Sequence, residues 1–393
     1  MNLPLRCHYL TAQSNYSIIL ILLFFIASCS HDHLPETSPN SVILYIGDGM
    51  GTEQRKAAQW YSVGMAGSLI MDELDNAGAS MTSSADSLIT DSAAAATAIS
   101  TGIKTDNGVI GMDPFFNTLQ TILEIAKSKG MSTGLVTTTH VTHATPAAFA
   151  SHVENRVMMT KIAHQILSTG VDVVLGGGED EFLPTSELGQ YIQPGERTDG
   201  RNLINEAISS GYTYISNATE LSAIDTTNTN KLLGLFADEG MVKPFTPTLS
   251  SMTDIAIKVL KKNPKGFFLM VEGGQIDWTG HSNDALNNIL DTLGFDEAVN
   301  VGSNYLIENT QTLLIVTADH ETGGMSTDLI SSGSANEDGP FYMPDLTPFY
   351  INWSTPGHTA VNVPVTSSGP QSENLIGTYE NTYIYEMMSL HIQ

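Results

Sequence analysis

Asp91 and Ser92 stand at the head of an alanine-rich run, "TDSAAAATA" from Thr90 to Ala98. Alanine is the strongest helix former and Asp a favoured cap, so the stretch predicts a helix beginning at Asp91 or Ser92. The Ser92 hydroxyl then either caps the helix or, because a helix start attracts anions, acts as a nucleophile toward a phosphoryl or acyl group. A nucleophilic serine needs an activating group. Candidates recur near the ends of apolar runs: Asp48 after "SVILYIG", Glu272 and Asp277 in "VEGGQIDWTGH", and Asp319 and His320 in "IVTADH", with His281 and His358 following loops. Singly, each has an ordinary structural reading as a turn aspartate or a solvated histidine. Jointly, imidazole and carboxylate suit Zn²⁺, and two such ions about 4 Å apart clamp the attacking and leaving oxygens of an in-line displacement. A Ser92 held as the alkoxide by such an ion needs no histidine base.

Three competing motifs fit less well. Gly130-Met131-Ser132-Thr133-Gly134 has the G-x-S-x-G form of a hydrolase elbow, but that elbow needs a strand before it and a helix after it. Here a helix ends at Gly130 and a strand follows, which predicts a short connecting loop. Gly47-Asp48-Gly49-Met50-Gly51 resembles part of a dinucleotide loop, yet Thr52 stands where the third glycine belongs. Asp48 would also aim a carboxylate at a pyrophosphate, which makes sense only around a metal. A Ser-His-Asp triad built on Ser92 is weakened because several of the histidines near strand ends adjoin carboxylates, as metal ligands do.

The elements that must position these residues alternate. "SVILYIGDGMG" (41–51), "STGLVTTTH" (132–140), "VDVVLGGG" (171–178), "KGFFLMVEGG" (265–274) and "TLLIVTADH" (312–320) are short apolar runs suited to buried strands. Helical periodicities lie between them, as at Leu119, Ile122, Leu123 and Ala126, and at Met252, Ile255, Ala256, Val259 and Leu260. That order predicts an α/β three-layer sandwich around a central, mostly parallel β-sheet, with ligands at the carboxyl ends of the strands.

Composition bounds the function. The 393 residues, 41% hydrophobic, suffice for one large or two medium domains. With 16 basic residues and a formal charge of -26, the chain is unsuited to nucleic-acid-specific binding, and an acidic protein that handled anions would need bound cations. Residues 1–28 read as a signal peptide of the lipoprotein type: Arg6, an apolar run from Ile18 to Ala27 too short to span a bilayer, and Ile26-Ala27-Ser28-Cys29, which resembles the bacterial lipobox. Cys29 would be the lipid anchor and the sole membrane attachment, residues 29–40 the linker, and 41–393 the folded domain. Cys7 falls in the removed segment, so no disulfide is expected.

With these pieces in order the chain resembles the alkaline phosphatase family from about Ser41 onward, through "IGDGMG", "TDSAAAATA", "THATPAAFASHVENR", "VEGGQIDWTGH", "TADHETGG" and "GHTAVNVPV". The resemblance implies one Zn²⁺ on Asp277, His281 and His358, a second on Asp48, Asp319 and His320 beside Ser92, and one Mg²⁺ on Asp48, Thr145 and Glu272. It places Arg156 as the phosphate clamp, a role suited to its two-pronged donor fork. His143 stands where some members carry Asp, and Trp278 where some carry Lys or His; both are taken as substrate-side residues. Residues 326–356 would be a short version of the family's variable insert, and homodimers are usual in the family. The expected activity is hydrolysis of small phosphate monoesters through a phosphoserine at Ser92, in an exported bacterial protein that is periplasmic or lipid-anchored. Two alternatives stay open: a phosphodiesterase of the same superfamily, and a non-catalytic lipoprotein that binds zinc or phosphate.

Overall fold

The structure is a computed structural model in which residues 40–392 are described. The predicted signal peptide and the anchoring Cys29 lie outside the described residues. The described strands are β1 Ser41–Gly47, β2 Asn76–Met81, β3 Ser132–His140, β4 Val173–Gly177, β5 Thr213–Ile215, β6 Leu232–Leu235, β7 Phe267–Gly273, β8 Thr312–Thr317, β9 Glu321–Thr322, β10 Met325–Asp328, β11 Glu337–Tyr342, β12 Pro348–Trp353, β13 His358–Thr359, β14 Val363–Ser368 and β15 Gly377–Glu380. Ten of them form one sheet in the order β15-β2-β14-β8-β1-β7-β3-β4-β6-β5. From β8 to β5 every neighbour is parallel. β14 runs antiparallel to both β8 and β2, and β15 pairs with β2 in parallel. The five runs read as strands from the sequence are β1, β3, β4, β7 and β8, five adjacent strands at the centre of the sheet.

Both faces of those strands are apolar because both are covered, as an all-parallel region requires. Along β1, Val42, Leu44 and Ile46 enter one core with Ala93, Ala96 and Ile99 of the helix Ser92–Thr101 and Phe149 of the helix Ala144–Ala150. Ile43 and Tyr45 enter the opposite core with Met252 and Ala256 of the helix Leu249–Leu260 and Phe295 of the helix Ala285–Glu308. This period-two split is the three-layer sandwich in miniature. A separate antiparallel sheet, β10-β12-β11, is built from residues of the stretch after Gly324. The pair β9-β13 sets His358 opposite Thr322.

One element differs from its sequence reading. The helix expected from Leu119 begins at Ile122, because the Thr121 hydroxyl accepts from Glu124 N while the Glu124 carboxylate accepts from Thr121 N. This reciprocal cap fixes the start, and Leu119 N donates instead to Gly111 O. At the other end Gly130 takes φ +79° and β3 begins at Ser132, so the G-x-S-x-G match is a helix-to-strand loop. No helix among the described residues is long and apolar enough to cross a membrane.

Candidate active site and metal centre

Strand register gathers the acidic groups. Ile46 of β1 pairs with Glu272 of β7 on one side and Thr317 of β8 on the other. Asp48 and Asp319, each two residues beyond a register partner, therefore leave adjacent strands level with Glu272. On the far side of β7, Thr137 of β3 pairs with Glu272, and the chain runs on through His140 and His143 into the helix that carries Thr145. After β7 the helix Gln275–His281 puts Asp277 and His281 one turn apart on one face.

Ser92 opens its helix as expected, and Asp91 is the cap, its Oδ1 accepting from Ala94 N at 3.0 Å. The Ser92 hydroxyl lies 3.3 Å from His320 Nε2, in a buried position. His320 Nε2 is also 3.4 Å from Asp48 Oδ1 and 3.3 Å from Asp319 Oδ2. A second group holds Asp277 Oδ1 at 3.3 Å from His281 Nε2 and 3.5 Å from His358 Nε2, with the two nitrogens 3.1 Å apart. The Nδ1 of His281 donates to Pro356 O at 2.6 Å and that of His358 to Thr90 O at 2.8 Å. Each neutral ring therefore turns its Nε2 lone pair toward the other and toward a carboxylate, an arrangement that needs a proton or a cation among the three atoms.

The donor chemistry fits cations. Zn–N and Zn–O bonds of about 2.0–2.1 Å put ligand atoms roughly 3.3 Å apart along a tetrahedral edge, the spacing seen in both groups. Both oxygens of Asp48, Glu272 Oε1, Asp319 Oδ2 and Thr145 Oγ1 are buried without a hydrogen-bond partner. Buried carboxylate oxygens are costly unless satisfied, and only the His320 ring, through its single Nε2, comes near those of Asp48 and Asp319. Asp277 bridges the two groups, its carboxylate lying within 4.8 Å of ligand atoms on Asp48 and His320, and a third group joins Asp48, Glu272 and a ring nitrogen of His143.

Electrostatics agree. Burial, with the charges of Asp319, Asp277 and Glu272 adding, holds the Asp48 carboxyl well above the usual carboxylate range. Burial outweighs hydrogen bonds to push Glu272 up to about 7. Asp277 falls well below its ordinary value because hydrogen bonds from His281 and His358 outweigh its burial. His281 rises to about 9 against Asp277. Burial, helped by the charge of Arg156, brings His143 down to about 3, so its imidazole is neutral.

Arg156 is held from two sides: Nη1 donates to Asp91 Oδ2 at 3.0 Å and Nη2 to His143 Nε2 at 3.1 Å. Trp278 packs edge-on to His143, ring centres 6.0 Å apart. Every site residue read from the sequence thus falls on one rim of the sheet. The sequence reading missed the residues that hold them. Asp91 figured only as a possible cap. Thr322 Oγ1 donates to Asp277 Oδ1 at 2.5 Å and lies 3.3 Å from His320 Nδ1, and the hydroxyls of Thr137 and Thr139 both reach Glu272 Oε2. Hydroxyls in strand-end threonines carry no sequence signal that separates them from ordinary β-formers.

Residues 40–342 match the family model for alkaline phosphatase. The repressible alkaline phosphatase of Saccharomyces cerevisiae is 39% identical over 337 residues, an alignment covering 77% of this chain and 57% of the yeast protein. Alkaline phosphatase 3 of Bacillus subtilis is 34% identical over 88% of this chain and 87% of the relative. Among solved structures, the alkaline phosphatase of the Antarctic bacterium TAB5 superposes with a TM-score of 0.78 at 35% identity, covering 91% of this chain and 99% of that one. A mutant of that enzyme with a histidine replaced by aspartate, with Mg bound in its M3 site, superposes with a TM-score of 0.76 at 34% identity over 91% of this chain and 98% of that one. Fold, strand-end chemistry and these likenesses agree: the chain belongs to the alkaline phosphatase family.

Proposed function

We propose that this chain hydrolyses small phosphate monoesters to an alcohol and inorganic phosphate through a phosphoserine at Ser92. The observation that carries the reading is the Ser92 hydroxyl, buried at a helix start 3.3 Å from His320 Nε2 and facing partnerless carboxylates, beside a clamped arginine. In this reading Asp277, His281 and His358 hold one Zn²⁺, Asp48, Asp319 and His320 a second, and Asp48, Thr145 and Glu272 a Mg²⁺. Bound there, the cations supply positive charge that lowers the pKa of a hydroxyl or water and offsets the charge of the phosphate.

The chain's own residues divide the remaining work. Ser92 Oγ, its proton given up to solvent, attacks phosphorus in line while the bond to the alcohol oxygen breaks, and the leaving alkoxide takes a proton from water and departs as the alcohol. Water then attacks the phosphoserine from the side the alcohol vacated, opposite Oγ; the Oγ–P bond breaks, Ser92 regains a proton from that water, and phosphate departs. The first N–H groups of the Ser92 helix face the anion. Arg156, its fork fixed by Asp91 and His143, binds non-bridging oxygens and so favours a dianionic monoester over a diester. Ser92→Ala should retain fold and metal content but lose on the order of 10³-fold or more in phosphate release. Acid-quenched wild type should carry phosphate on Ser92. A fully active Ser92→Ala protein removes the covalent mechanism, and faster turnover of diesters than of monoesters by wild type moves the assignment to a phosphodiesterase.

The same reading makes the chain an exported bacterial protein, periplasmic or anchored through lipidated Cys29, and a homodimer like other members. Cys29→Ala should move it from the membrane to the soluble fraction; retention in the membrane removes the anchor.

A further inference from the structure

A second cluster lies outside the residues assigned above. His140 ends β3, and Asp180 and Glu181 follow the Gly177-Gly178 turn after β4. A ring nitrogen of His140 and carboxylate oxygens of Asp180 and Glu181 all lie within 4.8 Å of one another. His140 Nδ1 is 2.8 Å from Glu181 Oε1, and its Nε2 is 3.2 Å from Glu239 Oε2, on the loop that follows β6. Glu181 thus faces one ring nitrogen of His140 and Glu239 the other.

Two observations separate this from an ordinary surface ion pair. Glu181 is 1% exposed, and its Oε2 has no hydrogen-bond partner. Gly178 packs against both residues: a Cβ built on it would sit 2.6 Å from Glu181 Oε2 and 3.1 Å from His140 Cβ, so a side chain there would displace the Glu181 carboxylate. The neighbouring guanidinium does not neutralise the group, since Arg197 is committed to Asp199 and to the backbone oxygens of Thr160 and Glu181. Asp180, 4% exposed, is pushed up to about 9 by its burial and by Glu181, which marks the excess of negative charge.

We propose that His140, Asp180 and Glu181 form an additional divalent-cation site, separate from the catalytic centre, with Glu239 on the other ring nitrogen orienting the imidazole. One imidazole nitrogen with two carboxylates is a donor set for Zn²⁺, Mn²⁺ or Co²⁺ rather than for the all-oxygen preference of Ca²⁺. Its place in the fold gives it a task. It ties the end of β3 to the β4 turn and to the loop carrying Gly240, whose bare Cα packs against the Trp278 ring. His140 also lies 6.5 Å from His143 and 6.4 Å from Trp278, ring centre to ring centre. A cation here braces the wall of the phosphate site without touching substrate.

The test counts cations. Wild type, Glu181→Gln and His140→Gln, as full chains, are saturated with Zn²⁺, desalted and assayed for zinc per chain by mass spectrometry. Each variant should carry one Zn²⁺ fewer than wild type. Because the result is a difference, the occupancy of the catalytic centre cancels, and an error in its assignment alters the totals but not the gap. Equal counts in wild type and variants overturn the proposal and leave His140 as an imidazolium between two glutamates. Should Glu181→Gln fail to fold, Asp180→Asn removes the other carboxylate ligand; an unchanged zinc count in that variant, together with an unchanged count in His140→Gln, overturns the site as well.

Discussion

His143 Nε2 lies 3.1 Å from Arg156 Nη2, and a guanidinium has only donors, so the imidazole must accept there. A neutral ring that accepts at Nε2 carries its proton on Nδ1. His143 Nδ1 is buried with no partner in the protein, in a site where a ring nitrogen comes within 4.8 Å of Asp48 and Glu272 oxygens. One neutral imidazole cannot accept from Arg156 and also ligate a cation, so on the proposed assignment His143 would serve the third site by orienting a water through Nδ1–H. Asp48, Thr145 and Glu272 would then hold a Mg²⁺, a hard ion that prefers oxygen, with water completing its shell. An aspartate at this position has acceptors enough for both Arg156 and the cation. His143→Asp should therefore tighten Mg²⁺ roughly tenfold and make turnover less sensitive to excess Zn²⁺. Magnesium titration of metal-stripped protein at fixed low zinc measures it; equal affinity and equal zinc inhibition in both proteins dismiss His143 as a determinant.

At the scale of elements, the start of the helix Ser92–Thr101 is joined to Arg156 through one side chain. Asp91 Oδ1 caps the helix at Ala94 N, while Oδ2 accepts from Gly108 N and from Arg156 Nη1. Asp91→Ala should cost about 1 kcal/mol in stability through the lost cap. It should also leave Arg156 held by His143 alone, so KM for a monoester rises while Ser92 can still be phosphorylated. Melting and steady-state kinetics on the variant check both; an unchanged KM means His143 suffices to hold the arginine. This double duty was not legible in the sequence, where Asp91 reads as a cap and nothing more. The central strands were legible because burial on both faces makes β1, β3, β4, β7 and β8 continuous apolar runs. β2, with the sequence NAGASM, and the three-residue β5 lack that signal, since small or partly exposed residues suffice at the flanks of the sheet. Leu119 misled the periodicity because it is apolar at the right spacing, yet the Thr121–Glu124 cap decides where the helix starts. The carboxylates and histidines that gather at the rim were legible at strand ends. The coupling of His140 to Asp180 and Glu181 was not, because it depends on the parallel pairing of β3 with β4, which places residues 140 and 177 side by side.

Across the whole molecule, the acidic rim ties stability to cations, in a chain of formal charge -26. Without bound cations, the fold buries Asp48, Glu272 and Asp319 with oxygens that accept no hydrogen bond. Glu272, ordinarily near 4.5, is raised to about 7, and Asp48 is raised well above 3.8. Between about pH 4.5 and 7 these two carboxyls thus hold protons that the unfolded chain has released, so their contribution to stability falls as pH rises through that window. Glu272 alone costs roughly 3 kcal/mol across it. His281, raised to about 9 by Asp277, adds stability that is fully present below 6.5 and lost as pH rises through 9, so it acts in the same direction. His143, lowered to about 3, and His320, also lowered, act the other way, because below about 6.5 the unfolded chain takes up protons that these buried rings do not. Asp277 also acts the other way, but its pKa is depressed and its contribution is lost only below about pH 4, outside the window. Bound cations reverse the trend, because their ligands must be deprotonated and affinity rises with pH. The gap in Tm between metal-loaded and chelator-treated protein should therefore widen from pH 5 to pH 8. Thermal melts of both forms in matched buffers measure the gap; one that stays constant or narrows with rising pH shows that the rim carboxylates are not what the cations hold together.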